Sequence, residues 1–149
     1  GNLSAELLVA PEESQSGIAV VKHKLPPKKL AAPLHRHSRE DEISYILKGE
    51  MGVQEGRESE SNIFISTVEA GESIVKERDT WHTFWNPGSE ELVFLETIAP
   101  GDFAYYFEEV AELIPGNEDE NDGDENELDI DAETVKQLER LHQSYGFEI

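Results

Sequence analysis

Over its first 110 positions the chain is divided into short apolar-rich runs with turn residues between them, and this limits the fold more than any other feature. Residues 18–21, 43–47, 51–54, 62–67, 73–75, 81–85 and 92–99 each read as a strand. Pro26-Pro27, Lys48-Gly49, Gly71 and Asn86-Pro87-Gly88 supply the breaks. Many short strands at such spacing form an antiparallel sandwich or barrel, because each run is too short to bury a core alone. Helical periodicity is absent until residues 105–113, which read as one short helix. A second runs from a cap at Asp131 to about Tyr145, where Gly146 supplies the stop. Val135, Leu138, Leu141, His142 and Tyr145 form its apolar stripe, which is expected to pack on the barrel or on a second subunit.

Charge divides the chain differently. The formal net charge is −21, and residues 117–131 carry nine acidic side chains and no basic one. Such a stretch cannot bury enough apolar area to offset its ordering entropy, so it reads as a flexible acidic linker. The expected organisation is a β-barrel over 1–116, the linker over 117–131 and a terminal helix over 132–149. The same charge argues against nucleic acid and anionic lipid as partners. No run of eighteen apolar residues is present, so no membrane span is expected. No basic segment followed by an apolar stretch opens the chain, so no export signal is expected. With no cysteine in 149 residues, a disulfide or thiolate site is impossible. That fits a cytoplasmic setting and leaves only histidine and carboxylate as metal ligands.

The chemistry concentrates in Leu34-His35-Arg36-His37-Ser38-Arg39-Glu40-Asp41-Glu42. On a strand His35 and His37 share a face, so both imidazoles can converge inside a barrel. Glu42 lies an odd number of positions beyond His37, and a loop or bulge over residues 38–41 would return it to that face. Glu42, Ser44 and Ile46 would then point inward, and Ile43, Tyr45 and Leu47 outward. A fourth ligand is available in Trp81-His82-Thr83-Phe84-Trp85-Asn86, where His82 and Phe84 share a face and the two tryptophans should point away. Three imidazoles and one carboxylate suit one divalent transition metal: Fe, Mn, Ni, Co, Cu or Zn.

The run His35-x-His37-(x)4-Glu42-(x)6-Gly49 resembles the first cupin motif, and His82-(x)3-Asn86 resembles the end of the second. His-Ser-Arg-Glu-Asp-Glu, Ala99-Pro100-Gly101, the aromatic segment 103–107 and Tyr145-Gly146-Phe147-Glu148 resemble bacterial quercetin-dioxygenase-like small cupins. That likeness covers roughly residues 8–149. It implies an all-β double-stranded β-helix, a jelly-roll barrel, with short C-terminal helices. It also implies a metal on His35, His37, Glu42 and His82. Two positions depart from the pattern. No glycine precedes His35 at the usual place, and Glu77-Arg78-Asp79 stands where Pro-x-Gly is usual, so the pocket entrance should differ.

The expected activity is that of a metal-dependent oxidoreductase of the dioxygenase type, acting on a small enol or phenol. Glu42 would serve as general base as well as ligand, and Ser44, Ile46 and Phe84 would line the substrate pocket. The alternatives are metal-assisted isomerase or lyase chemistry on a small polar acid or sugar, and non-enzymatic binding of a small molecule. The outward row Ile43, Tyr45 and Leu47 is apolar, which makes a homodimer the economical cover.

Overall fold

The structure is a computed structural model, and it describes residues 3–59, 62–114 and 131–149. The acidic run 117–130 and the linker read there lie outside the described residues.

Ten strands run β1 (Ser4–Val9), β2 (Ala19–Leu25), β3 (Arg36–His37), β4 (Asp41–Lys48), β5 (Glu50–Glu55), β6 (Phe64–Glu69), β7 (Ser73–Lys76), β8 (His82–Trp85), β9 (Leu92–Ala99) and β10 (Phe147–Glu148). Among the described residues two α-helices, α1 (Ala104–Leu113) and α2 (Ala132–Tyr145), lie between the last two strands. One sheet has the order β1-β2-β9-β4-β7 and a second has β6-β5-β8, with every pair antiparallel. Apolar residues of both sheets form one core: Leu25, Ile46, Leu92 and Phe94 from the first, Met51, Val53, Val68 and Phe84 from the second. This is the all-β jelly-roll barrel expected, with its short C-terminal helices.

Alternation places the side chains. Along β4, Glu42, Ser44 and Ile46 are buried, whereas Ile43, Tyr45 and Leu47 are exposed. The same rule turns Val21, His23 and Leu25 of β2 inward, together with Phe94, Glu96 and Ile98 of β9. The break between β3 and β4 is the interruption that returns Glu42 to the face of His37. Gly52 on β5 lies against Trp85 so closely that an added Cβ would sit 2.3 Å from the indole.

Trp81, expected to point away from the histidines, is nevertheless covered. It is only 5% exposed, because the guanidinium groups of Arg57 and Arg36 cover its ring at 4.5 and 5.1 Å. Trp85 is half-buried.

The C-terminal elements close over one end of the barrel. Phe103, Ala104 and Phe147 join Ala19, Val21 and Ile98 in a second apolar cluster. Asp131 caps α2 through a 2.7 Å bond from the Thr134 N–H, and Gly146 ends it in the left-handed region at φ +66°. Phe147 then pairs with His37 across the β3–β10 ladder. Arg36 forms an ion pair with Glu148 at 2.7 Å, and Arg39 donates to the Ser144 carbonyl at 2.7 Å. The last strand is therefore bound directly to the segment that carries the histidines.

Candidate metal centre

His35, His37 and His82 are all buried, and one ring nitrogen from each lies within 4.8 Å of the others. His35 and His82 are held together by reciprocal backbone bonds, His35 N–H to the His82 carbonyl at 3.0 Å and the reverse at 2.8 Å. The three Nδ1 atoms all face acceptors: the Pro33 carbonyl at 2.7 Å for His35, Glu40 at 2.7 Å for His37, and the Thr80 carbonyl at 3.0 Å for His82. Each contact places the ring proton on Nδ1 and leaves Nε2 as the donor atom, the arrangement by which proteins orient imidazole toward metals. The His82 Nε2 is buried and has no hydrogen-bond partner. A buried acceptor left unpaired is costly, and a cation would satisfy it.

Electrostatics agree with this donor set at two of the three rings, and at His37 a cation would have to displace a proton. Burial lowers the pKa of His35 to about 3 and that of His82 to about 2, so both rings keep free lone pairs at neutral pH. At His37 burial opposes a charge, but the Glu42 carboxylate and the hydrogen bond to Glu40 outweigh it and lift the pKa to about 9. Its Nε2 lies 2.6 Å from Glu42 Oε1. Glu42 is itself pushed upward, first by burial and then by the Glu96 carboxylate. The residues present fit a divalent ion: three oriented nitrogens with an anionic oxygen beside one of them.

A cavity of about 500 Å³ opens onto this group. His35, His37, Glu42 and Phe84 form part of its wall, as do His23 and Glu96, and the roof includes Phe103, Phe107, Leu138 and Phe147. The Phe103 ring stands edge-on to His37 at 4.4 Å between centroids, and Phe147 lies 4.8 Å from His35. Among the described lining residues there is no lysine or arginine.

His35, His37 and His82 thus converge on one place, and Glu42 lies beside His37. Phe84 lines the cavity as expected. Ser44 and Ile46 point inward but stay beneath it, Ile46 in the core beside Phe84. His142, on the stripe of α2, lines the cavity at a distance from the triad's bonding pattern, with Nε2 2.9 Å from the Tyr106 hydroxyl.

Sequence reasoning missed Glu40, Lys76 and Glu96. Strand alternation pointed to Glu96, which stands two positions from each of the apolar residues Phe94 and Ile98. The unusual Glu77-Arg78-Asp79 segment still makes a tight turn. Asp79 takes φ +63° without being glycine, and its N–H donates to the His37 carbonyl at 2.7 Å. The Arg78 N–H bonds Asp41 at 2.9 Å.

A small antiparallel jelly roll with a buried three-histidine centre is the architecture of a cupin. The chain belongs to the cupin domain family, whose pattern it matches over residues 21–98. Among solved structures it is similar to an uncharacterized double-stranded β-helix protein from Klebsiella pneumoniae, at 20% identity and TM-score 0.56, covering 68% of this chain and 80% of that one. A predicted oxalate decarboxylase from Thermotoga maritima is 27% identical with TM-score 0.57, over 66% of this chain and 81% of that one. KdgF from Halomonas sp. is 17% identical with TM-score 0.53, over 66% and 78%. No curated protein is significantly similar in sequence. Among the described residues no helix is long and apolar enough to cross a membrane.

Proposed function

We propose that this protein is a metal-dependent oxidoreductase of the dioxygenase type acting on a small enol or phenol. The observation that carries this reading is a cluster of three Nε2-directed imidazoles of which two, His35 and His37, stand with Glu42 at the wall of a cavity whose other surfaces are largely aromatic and aliphatic. A divalent ion held by His35, His37, His82 and Glu42 supplies Lewis acidity and redox capacity. The protein supplies the rest. Phe84, Phe103 and Phe107 offer flat apolar walls that exclude water from an aromatic substrate. The Glu42 carboxylate accepts the proton of the substrate hydroxyl, a role that burial favours by raising its proton affinity. The absence of lysine and arginine from the described cavity wall favours an uncharged substrate over a dicarboxylate.

The test is oxygen uptake by protein loaded separately with Fe, Mn, Ni, Co, Cu or Zn, against a panel of enols and catechols. Uptake with at least one metal, lost in the His82→Ala variant, is the expected result. Turnover of a small acid or sugar without oxygen would replace this reading with the isomerase or lyase one. The named Thermotoga neighbour is that reading's main support. Metal retention with no turnover of any kind would leave a small-molecule-binding role.

The proposal extends to a cytoplasmic homodimer. Ile43, Tyr45, Leu47 and Val75 are 41–52% exposed on the outer face of neighbouring strands β4 and β7, and a contiguous apolar surface of this kind favours a partner.

A further inference from the structure

Inside the five-stranded sheet lies a charged row that the proposed chemistry leaves without a role. Lys76, the last residue of β7, stands directly opposite Glu42 in the β4–β7 ladder, and its side chain is wholly buried. Its Nζ lies 2.9 Å from Glu96 Oε2, 3.9 Å from Glu42 Oε2 and 4.8 Å from the centre of the Phe84 ring. Glu96 comes from β9, opposite Ser44, and its other oxygen is 3.4 Å from His23 Nε2. Lys76 does not line the cavity, so it reaches the site through Glu42 and not through a bound molecule.

Packing alone is a poor account of this lysine. A buried ammonium between carboxylates gains little over an apolar side chain of the same volume, and Ile46, Phe84 and Phe94 already furnish an apolar setting. Charge gives a better one. In a medium of low dielectric, a fixed positive charge beside a ligand carboxylate makes further positive charge at that ligand less favourable. Glu96 acts in the opposite sense from the other side of the ammonium. The buried carboxylates Glu40, Glu42 and Glu96 outnumber the one buried ammonium, Lys76. The site therefore carries a negative excess that a cation offsets, and each further charge on the ion has less of it left to meet.

We infer that Lys76 is a positioning residue that acts through Glu42 to hold the metal in its divalent state, with Glu96 as its counterweight. The inference rests on His35, His37, Glu42 and His82 being the metal ligands, and not on the reaction catalysed.

The experiment exploits sign. Lys76→Met, Glu96→Gln, the double variant and Lys76→Arg are prepared, and their folding is compared by circular dichroism. Two quantities are read: Co2+ affinity by competition titration, and the Fe(III)/Fe(II) midpoint of iron-loaded protein. Removing the positive charge should tighten Co2+ binding about tenfold and lower the midpoint, and removing the negative charge should weaken binding about tenfold and raise it. The double variant and Lys76→Arg should return to within about threefold of the wild type, since each preserves the net charge. A structural role predicts that both single variants shift in the same direction, and that result overturns the inference, as does no shift in either. If Lys76→Met loses its fold, Glu96→Gln decides alone: weaker Co2+ binding with a raised midpoint supports the inference, and anything else overturns it. Failure of the metal assignment looks different, because the wild type would then bind Co2+ no better than His82→Ala.

Discussion

His35, His37 and His82 present Nε2 because their Nδ1 atoms are already engaged, so each directs that nitrogen to one point, His37 after giving up its proton to the incoming ion. Replacing any of them with alanine should therefore reduce metal content markedly, whereas His23→Ala and His142→Ala should leave it near the wild-type level. Elemental analysis of the purified variants decides this, and full occupancy in the His35→Ala/His82→Ala pair would exclude the assignment. Glu42→Gln should separate two roles. It keeps three nitrogens to retain the ion but removes the base, so turnover should fall by roughly a hundredfold or more, the scale of a lost general base, while occupancy falls far less. Both are measured on one sample, and unchanged turnover would remove the base role. The ligands were legible in the sequence because the strand period puts His35 with His37, and the resemblance to the cupin motifs adds Glu42 and His82. Lys76 was not. A lone charge in a run such as Ser73-Ile74-Val75-Lys76 reads as solvated, and only the ladder that sets it opposite Glu42 shows it buried.

At the scale of elements, two contacts position the site. Strand β5 approaches β8 across Gly52, where no side chain fits beneath the Trp85 ring. Gly52→Ala must displace that indole and should cost about 1–3 kcal/mol, the usual range for overpacking, measurable as a lowered denaturant midpoint. Such a shift would also disturb His82, at the other end of the same four-residue strand. The roof is the second contact. Phe147 packs against His35, His37 and Phe103, so Phe147→Ala should lose about 3 kcal/mol and open the cavity. Faster access of a small phenol to the Co2+-loaded site, seen as a quicker absorption change, is the expected accompaniment; an unaltered rate would show that molecules enter elsewhere. The long strands followed from short apolar runs between turn residues and both helices from helical periodicity, the second of them down to its Asp131 cap and Gly146 stop. Strands β1 and β10 did not. They are two to six residues long, and they exist because a neighbouring strand offers hydrogen bonds, which a propensity for extended backbone does not reveal.

For the molecule as a whole, the outward row of β4 matters most. Ile43, Tyr45 and Leu47 face away from the metal ligands, as the inward turn of Glu42 requires, and Val75 of β7 extends the patch. Trp81 does not belong to it, since its ring is covered by the chain's own arginines. A symmetric dimer across this patch should persist whether or not metal is bound. Tyr45→Glu would place an unpaired charge in that contact and should shift the solution mass by light scattering toward the monomer. A wild-type monomer at tens of micromolar would argue against the dimer. The net charge of −21 does not oppose such pairing at physiological salt, where separations beyond about 8 Å are screened.

The paired backbone bonds between His35 and His82 have a practical consequence for handling the protein. Ligands drawn from segments far apart in the chain are joined by backbone bonds that do not pass through the ion. Loading and stripping should then be interchangeable operations on a finished fold, unlike in small domains that collapse only around their ion. Dialysis against a chelator should leave the near-ultraviolet circular dichroism almost unchanged, and returning metal should restore occupancy within the mixing time, with no refolding phase. One purified batch could then be exchanged through a whole series of ions, and differences between them would report on the ion alone.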